Sequence, residues 1–228
     1  MKKEKQKNSE ITRSNILNVA LRLFEERGFE ETSMRLIAKE SGHALGNAYY
    51  YFPSKEDIVL IQYESILSSA LIELENSIAG TSTFKKRFLL LCDIEFKLLE
   101  PSRKFLIGLI KKASDPDSPL SPFGERAKKM RDIHAKMIDI ILKDSDIKID
   151  LKVYDSIVFI LWILHMCLIF IWLGDRSPNQ TITKKLSSLS TEMVSMFLKI
   201  INFKFLKKTR KQFIEFTELL KESLIRNF

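Results

Sequence analysis

The residue types that most often support catalysis or metal binding are few in this chain and lie far apart. Its three histidines are His43, His134 and His165, and its two cysteines, Cys92 and Cys167, are 75 positions apart with no C-x-x-C pair. The sequence contains no P-loop, G-x-G-x-x-G or H-E-x-x-H motif. We therefore expect no catalytic residue, no metal site and no cofactor, and the cysteine spacing favours a reducing compartment over a disulfide framework.

Side chains that can form hydrogen bonds gather instead around the run LGNAYYY at residues 45–51. Apolar spacing predicts one helix from about Thr12 to Arg27, a second over 34–41 and a third over 45–51. Gly42 provides a tight turn between the second and the third. Three helices within about 40 residues, two of them joined by such a turn, predict a helix-turn-helix.

The identity of the residues in this segment is more specific than its spacing. Residues 12–58 resemble the N-terminal DNA-binding domain of the TetR/AcrR family of bacterial transcriptional regulators, over about a fifth of the chain. The residues that carry the resemblance are Ile16-Leu17, Ala20, Leu23-Phe24, Gly28-Phe29, Thr32-Ser33-Met34, Ile37-Ala38, Gly42, Gly46-Asn47, Tyr49-Tyr50-Tyr51-Phe52 and Ser54-Lys55-Glu56.

The resemblance implies that the helix at 45–51 enters the major groove of DNA. Gly46 would let the backbone approach the duplex, Asn47 would pair with an adenine edge, and Leu45 would touch a thymine methyl group. Further residues would contact the phosphate backbone, which fixes position without reading sequence. These are Ser33, Arg35, Tyr49, Tyr50 and Lys55.

The turn departs from the family pattern at two residues. His43 and Ala44 stand where a small apolar residue and a Ser or Thr cap are common. The missing hydroxyl should weaken the start of the third helix by about 1 kcal/mol. We interpret His43 as an ordinary turn residue.

The remainder of the chain predicts helices and no strand. We expect an all-α fold of about nine to ten helices, in which an N-terminal three-helix helix-turn-helix domain precedes a helical ligand-binding and dimerisation domain. The expected parts are a flexible basic arm at 1–10, the DNA-binding domain at 11–57 and the regulatory domain at 58–228. The later helices are expected at about 55–79, 84–99, 103–113, 125–142, 151–173, 183–201 and 209–227.

Residues 157–173 are the most apolar segment, with His165 as the one clearly polar member. A membrane-spanning helix needs about 20 apolar residues, and Lys/Arg clusters usually flank it on one side. This run has 17 residues and no such cluster. We favour a buried core helix and expect no membrane; a membrane-associated or single-span helical protein that uses 157–173 is the alternative. The resemblance also implies that the last two helices of the regulatory domain pair with a second subunit.

A ligand cavity is expected among the middle helices, with a small, largely apolar effector such as a fatty-acyl, aromatic or drug-like molecule. His165 is the polar group best suited to orient it. The candidate lining residues are Phe88, Phe96, Phe105, Met137, Trp162, His165, Met166 and Phe170.

The net charge of +8 is not concentrated in the helix-turn-helix. Residues 14–57 carry five basic and seven acidic residues, whereas residues 1–13 carry five and two. We expect the N-terminal arm to add phosphate contacts. The basic stretch 204–211 fits a solvated connector, a nucleic-acid contact or a membrane-surface contact. Together these features predict a cytoplasmic homodimer, a ligand-responsive repressor that binds a palindromic double-stranded DNA operator and is not an enzyme.

Overall fold

The computed structural model describes residues 2–201 and 203–225, and within them the side chains of 6–201, 203 and 205–225. The described residues form ten α-helices and no strand, which confirms the all-α prediction. The helices are α1 (Lys2–Arg27), α2 (Met34–Glu40), α3 (Leu45–Tyr51), α4 (Lys55–Ser77), α5 (Phe84–Leu99), α6 (Arg103–Ala113), α7 (Lys128–Leu142), α8 (Leu151–Gly174), α9 (Thr181–Ile200) and α10 (Lys207–Leu224).

Helix α1 begins earlier than the sequence predicts, within the segment expected to be a flexible arm at 1–10. It begins at Lys2, so Thr12 lies inside the helix and does not cap it. Residues 2–10 contain helix-forming Lys, Glu and Gln and neither Pro nor Gly, so nothing in their sequence stops the helix. The Ser9 hydroxyl lies 3.0 Å from that of Tyr51, which joins this added part of α1 to α3.

The other helices begin and end close to their predicted positions. The largest shift at a start is in α7, because residues 125–127 form a 3-10 turn before the helix begins at Lys128. The last helix, α10, ends at Leu224, and its predicted end at Asn227 lies outside the described residues.

Helices α1 to α3 do not complete their own core. Ile58 of α4 and Phe105 of α6 are buried among their apolar residues. The Phe105 ring stacks on Phe24 of α1, with ring centroids 5.4 Å apart and an interplanar angle of 5°. The N-terminal unit is therefore joined to the rest of the chain through a shared core.

Helix α8 is the central element of the second, larger core. It packs against α5, α6, α7, α9 and α10. By length and composition it could cross a membrane, with a mean hydropathy of 2.6 over its most apolar 18 residues. Of that window, 56% is buried, which accounts for the apolar run at 157–173 by packing inside the protein.

The caps of α3 and α4 generate a test of stability. Ala44 has extended backbone and no side-chain hydrogen bond, whereas the Ser54 hydroxyl accepts a hydrogen bond from the backbone N–H of Asp57. Ala44→Ser should raise the free energy of unfolding by about 1 kcal/mol, and Ser54→Ala should lower it by about the same amount. Urea denaturation of both variants measures the changes, and an unchanged or lower stability of Ala44→Ser would contradict this account of α3.

Candidate functional site

The turn between α2 and α3 is built by local hydrogen bonds. Ser33 caps α2 by accepting from the backbone N–H of Leu36 at 3.2 Å. Gly42 has a φ of 72°, a conformation that L-residues with side chains adopt at a cost, and the N–H of His43 donates to Ala38. The Asn15 amide of α1 donates to the Ser41 carbonyl oxygen at 3.0 Å. The turn is thus fixed both by its own backbone and by α1.

Helix α3 is anchored by one face and exposed on the other. Ala48 and the following Phe52 are fully buried, while Asn47 is exposed and Tyr49 and Tyr50 retain 49% and 79% of their exposure. Residues 45–51 contain no charged side chain. The exposed face therefore offers amide and hydroxyl groups and does not repel an anion.

Gly46 has no packing role within the chain. Among the residues that the structure describes, a Cβ placed on Gly46 would meet no atom within 4 Å, and Gly46 has no left-handed backbone conformation. Nothing in this described part of the chain requires glycine at this exposed position. Its small size matters only to a molecule that approaches α3 from outside.

The remaining DNA-contact candidates occupy different environments. Arg35 is exposed on α2, and Ser33 is exposed just before it, although the Ser33 hydroxyl also serves as the helix cap. Leu45 is half-buried and packs against the N-terminal core, so only part of its side chain faces outward.

Lys55 is largely engaged within the protein. Its ammonium group donates to the carbonyl oxygens of Phe29 at 2.7 Å and Thr32 at 3.2 Å, and it lies 4.2 Å from the centroid of the Phe29 ring. These contacts hold the α1–α2 connection against the start of α4. One of its three N–H donors is left for a phosphate oxygen.

A mostly apolar cavity lies between α4, α6, α7 and α8. Of the eight candidate lining residues, Trp162, Met166 and Phe170 line it. The other five lie elsewhere: Phe88 and Met137 are in the main core, Phe96 stacks on Trp172, Phe105 stacks on Phe24, and His165 is buried beside Glu95.

The polar groups at this cavity are residues that the sequence did not indicate. They are Tyr63, Arg131 and His134. The half-buried Arg131 guanidinium donates to the carbonyl oxygens of Pro122 and Gly124, at 2.9 Å and 2.7 Å. Burial, with a further contribution from Glu95, holds the pKa of Tyr63 well above its ordinary value, so its hydroxyl stays protonated.

Two of the dispersed histidines meet a carboxylate in the interior. The Nε2 atoms of His134 and His165 lie 3.2 Å and 3.0 Å from the two oxygens of Glu95, and all three side chains are at most 2% exposed. Burial alone would raise the pKa of Glu95, but His165 and His134 lower it below its ordinary value. Burial lowers the pKa of His165 to about 4, although the Glu95 carboxylate opposes this shift.

This cluster has no signature in the sequence. Glu95, His134 and His165 belong to three helices, α5, α7 and α8, and are 39 and 31 positions apart along the chain. No local spacing rule connects residues so far apart. Only the packing of the three helices brings them together.

Comparison with known proteins agrees with the fold. The family model described as bacterial regulatory proteins, tetR family, matches residues 16–60, and the tetracyclin repressor-like C-terminal domain matches residues 87–211. The solved structure of the transcriptional regulator FadR from Bacillus subtilis in complex with stearoyl-CoA superposes with a TM-score of 0.55 at 18% identity. It covers 80% of this chain and 97% of that one.

Two curated relatives match over less than half of this chain. The fatty acid metabolism regulator protein of Bacillus subtilis is 30% identical over 84 residues, covering 37% of this chain and 43% of the relative. The HTH-type transcriptional regulator AcrR of Shigella flexneri is 33% identical over 113 residues, covering 48% and 53%. The chain thus spans about half the length of these relatives. Because the C-terminal family model alone matches more than half of the chain, and the N-terminal model matches the helix-turn-helix, the protein belongs to the TetR family of transcriptional regulators, which are DNA-binding proteins and not enzymes.

Proposed function

We propose that this protein is a homodimeric repressor that binds a palindromic operator through α3 and leaves it when a largely apolar effector fills the cavity. The observation that carries the proposal is the form of α3. Ala48 and Phe52 anchor the helix, while Gly46, Asn47 and Tyr50 lie together on an exposed, uncharged face. We infer that such a regulator acts in the cytoplasm, where bacterial DNA is found.

The exposed groups of α3 divide into two kinds of contact. The Asn47 amide can donate to and accept from an adenine edge in the major groove, which reads sequence. The hydroxyls of Tyr49 and Tyr50 suit phosphate oxygens, which set the position of the helix. Ser33 is exposed just before α2 and Arg35 is exposed on α2, which crosses the backbone in this type of motif.

Substitution of Asn47 tests the reading role directly. Asn47→Ala should cost about 1–3 kcal/mol on the preferred operator and should relax preference at one base position in each half-site. Tyr50→Phe is the matched control, because loss of a phosphate contact should weaken all sequences alike. Selection of bound fragments from random DNA, followed by binding titrations, measures both. Unchanged specificity in Asn47→Ala would remove this residue as a base reader, and no enrichment of any sequence by the parent protein would reject the repressor.

Helix α9 supports the dimer. Its apolar residues recur at helical spacing and are exposed, at 71% for Met193 and 65% for Met196. Its buried side carries small hydroxyl residues that face the rest of the bundle, Thr183, Ser187, Thr191 and Ser195. A helix that buries hydroxyl residues and exposes an apolar stripe is typical of a protein–protein interface. The stripe comprises Ile182, Leu186, Leu189, Met193, Met196 and Ile200.

A second copy of the chain is the partner for this stripe that suits a helix-turn-helix protein. Two recognition helices about 34–36 Å apart read the two halves of a palindrome, so the operator's symmetry matches that of a two-fold dimer. In such a dimer the same surface is used by both subunits. Ile171 of the adjoining α8 is also exposed.

A charge placed in the stripe tests the dimer. Met193→Lys should weaken association by roughly 2 kcal/mol or more, because a buried interface would hold two unpaired ammonium groups. Affinity for a palindromic operator should fall with it. Ile72→Lys, at an exposed apolar position of α4, is the control and should leave the dimer intact. Sedimentation equilibrium measures the dissociation constant of the dimer. A monomeric parent protein would contradict the proposed interface, and so would a Met193→Lys dimer that is as stable as the parent dimer.

The cavity suits an apolar group with a polar end. Its walls are largely aliphatic and aromatic, and Tyr63 and Arg131 provide hydrogen-bond donors at its surface. Structural similarity to a regulator that binds stearoyl-CoA, together with sequence similarity to a fatty acid metabolism regulator, supports a fatty-acyl effector.

The position of the cavity links an effector to DNA binding. Val59 of α4, Leu109 of α6 and Leu120 line it, and all three also belong to the core of the N-terminal unit. An effector that separates α4 from α6 would therefore shift the helix-turn-helix. It can change DNA affinity only by as much as its own affinity differs between the two arrangements.

Filling the cavity tests this link. Long-chain acyl-CoA should lower operator affinity of the parent protein about 5–150-fold, the usual range of such coupling. Met166→Trp should bind the operator and stay bound when acyl-CoA is added, because the indole occupies the cavity. Ile72→Trp, outside the cavity, should release the operator on acyl-CoA addition as the parent protein does. Fluorescence anisotropy of labelled operator measures the response, and equal release of Met166→Trp and parent would place the effector elsewhere.

A further inference from the structure

We propose that Glu95, His134 and His165 form a binding site for one zinc-class divalent transition-metal ion in the interior of the regulatory domain. Two imidazole nitrogens and one carboxylate are a ligand set typical of Zn²⁺ sites that keep a further coordination position. The ligand atoms of the three residues lie within 4.8 Å of one another.

The distances within the cluster suit a shared ion. Each Nε2 atom lies 3.2 Å or 3.0 Å from an oxygen of Glu95. Metal–ligand bonds of about 2.0–2.1 Å in tetrahedral geometry place neighbouring ligand atoms about 3.3 Å apart. The Nε2 atoms and both carboxylate oxygens are deeply buried and lack a well-formed hydrogen bond among the described residues. Buried polar atoms of this kind normally have a partner.

The tautomer of His134 strengthens the argument. Its Nδ1 lies 3.0 Å from the Met130 carbonyl oxygen, which can only accept, so Nδ1 carries a proton. In the neutral ring the Nε2 lone pair then faces the Glu95 oxygen. Two lone pairs at this distance repel unless a proton or a cation lies between them. A backbone carbonyl that orients a histidine through its other nitrogen is a common support for metal ligands.

The surroundings hold the three ligands in place. The rings of His134 and His165 pack edge to face, with centroids 5.5 Å apart, and Phe88 contacts His165 in the same manner. His134 also lines the apolar cavity. The site is thus enclosed, and His134 is the residue that it shares with the cavity wall. It does not depend on the identity of the effector or the operator.

Spectroscopy of the full-length protein tests the site. The purified protein is stripped with a chelator and titrated with Co²⁺, and Zn²⁺ is then added in competition. We expect one Co²⁺ per chain with the intense visible absorption of a four- or five-coordinate ion, without a thiolate charge-transfer band, and full displacement by Zn²⁺. Absence of saturable binding, or the weak spectrum of an octahedral surface ion, would overturn the proposal even without any variant.

Matched variants locate the ion. Glu95→Gln should lower Zn²⁺ affinity by at least about 100-fold, since even loss of a supporting contact to a ligand costs 10–100-fold. Asp93→Asn, an exposed carboxylate on the same helix, and His43→Asn, outside the cluster, should bind as the parent does. His165→Asn is the second cluster variant in case Glu95→Gln does not fold, and circular dichroism monitors folding. Equal Zn²⁺ affinity in folded cluster variants and controls would reject these ligands.

Discussion

The insertion of Phe105 into the N-terminal core is the contact on which the arrangement of this protein depends. A unit of about 50 residues buries a small share of its surface and is marginally stable without further elements. Here α4 and α6 complete its core, and Phe105 stacks on Phe24 at 5.4 Å. Lys112 of α6 adds an ion pair with Glu30 at 3.1 Å. The N-terminal unit cannot rotate freely, because its core contains side chains from the rest of the chain.

The shared core determines which residues can pass a movement from the cavity to the N-terminal unit. Protein interiors are densely packed, so a wall residue that moves must displace its neighbours. Leu109 and Leu120 face the cavity on one side and the N-terminal core on the other. Arg126, just before α7, pairs with Asp57 in the first turn of α4. The N-terminal end of helix α4 is therefore in contact both with the cavity wall and with the connection before α7.

The sequence predicted the helices well because their determinants are local. Ser33 and Ser54 cap α2 and α4, and Gly42 adopts the left-handed turn. The start of α1 differs from the predicted one because a charged segment without Pro or Gly can continue a helix.

Long-range features were less accessible from the sequence. Apolar residues identify a core, but their spacing does not tell which of them border a cavity, so the sequence indicates Phe88 and Met137 as readily as Trp162. Lys55 matched a phosphate contact by its place in the motif. Its bonds to the carbonyl oxygens of Phe29 and Thr32 depend on how α1 and α4 meet, and that packing has no signature in the residues around Lys55.

The Glu95 cluster is costly for a purely structural element. A carboxylate loses most of its solvation at 0% exposure, and its attraction to two imidazoles offsets that cost only with good hydrogen-bond geometry. Apolar residues of similar size at these three positions would pack at least as stably in a core that is otherwise aliphatic and aromatic. Stability alone therefore does not account for a carboxylate and two histidines between α5, α7 and α8. A cation that binds all three would neutralise the carboxylate, satisfy the facing lone pairs and join three helices beside the cavity, so the ion and the buried charge explain each other.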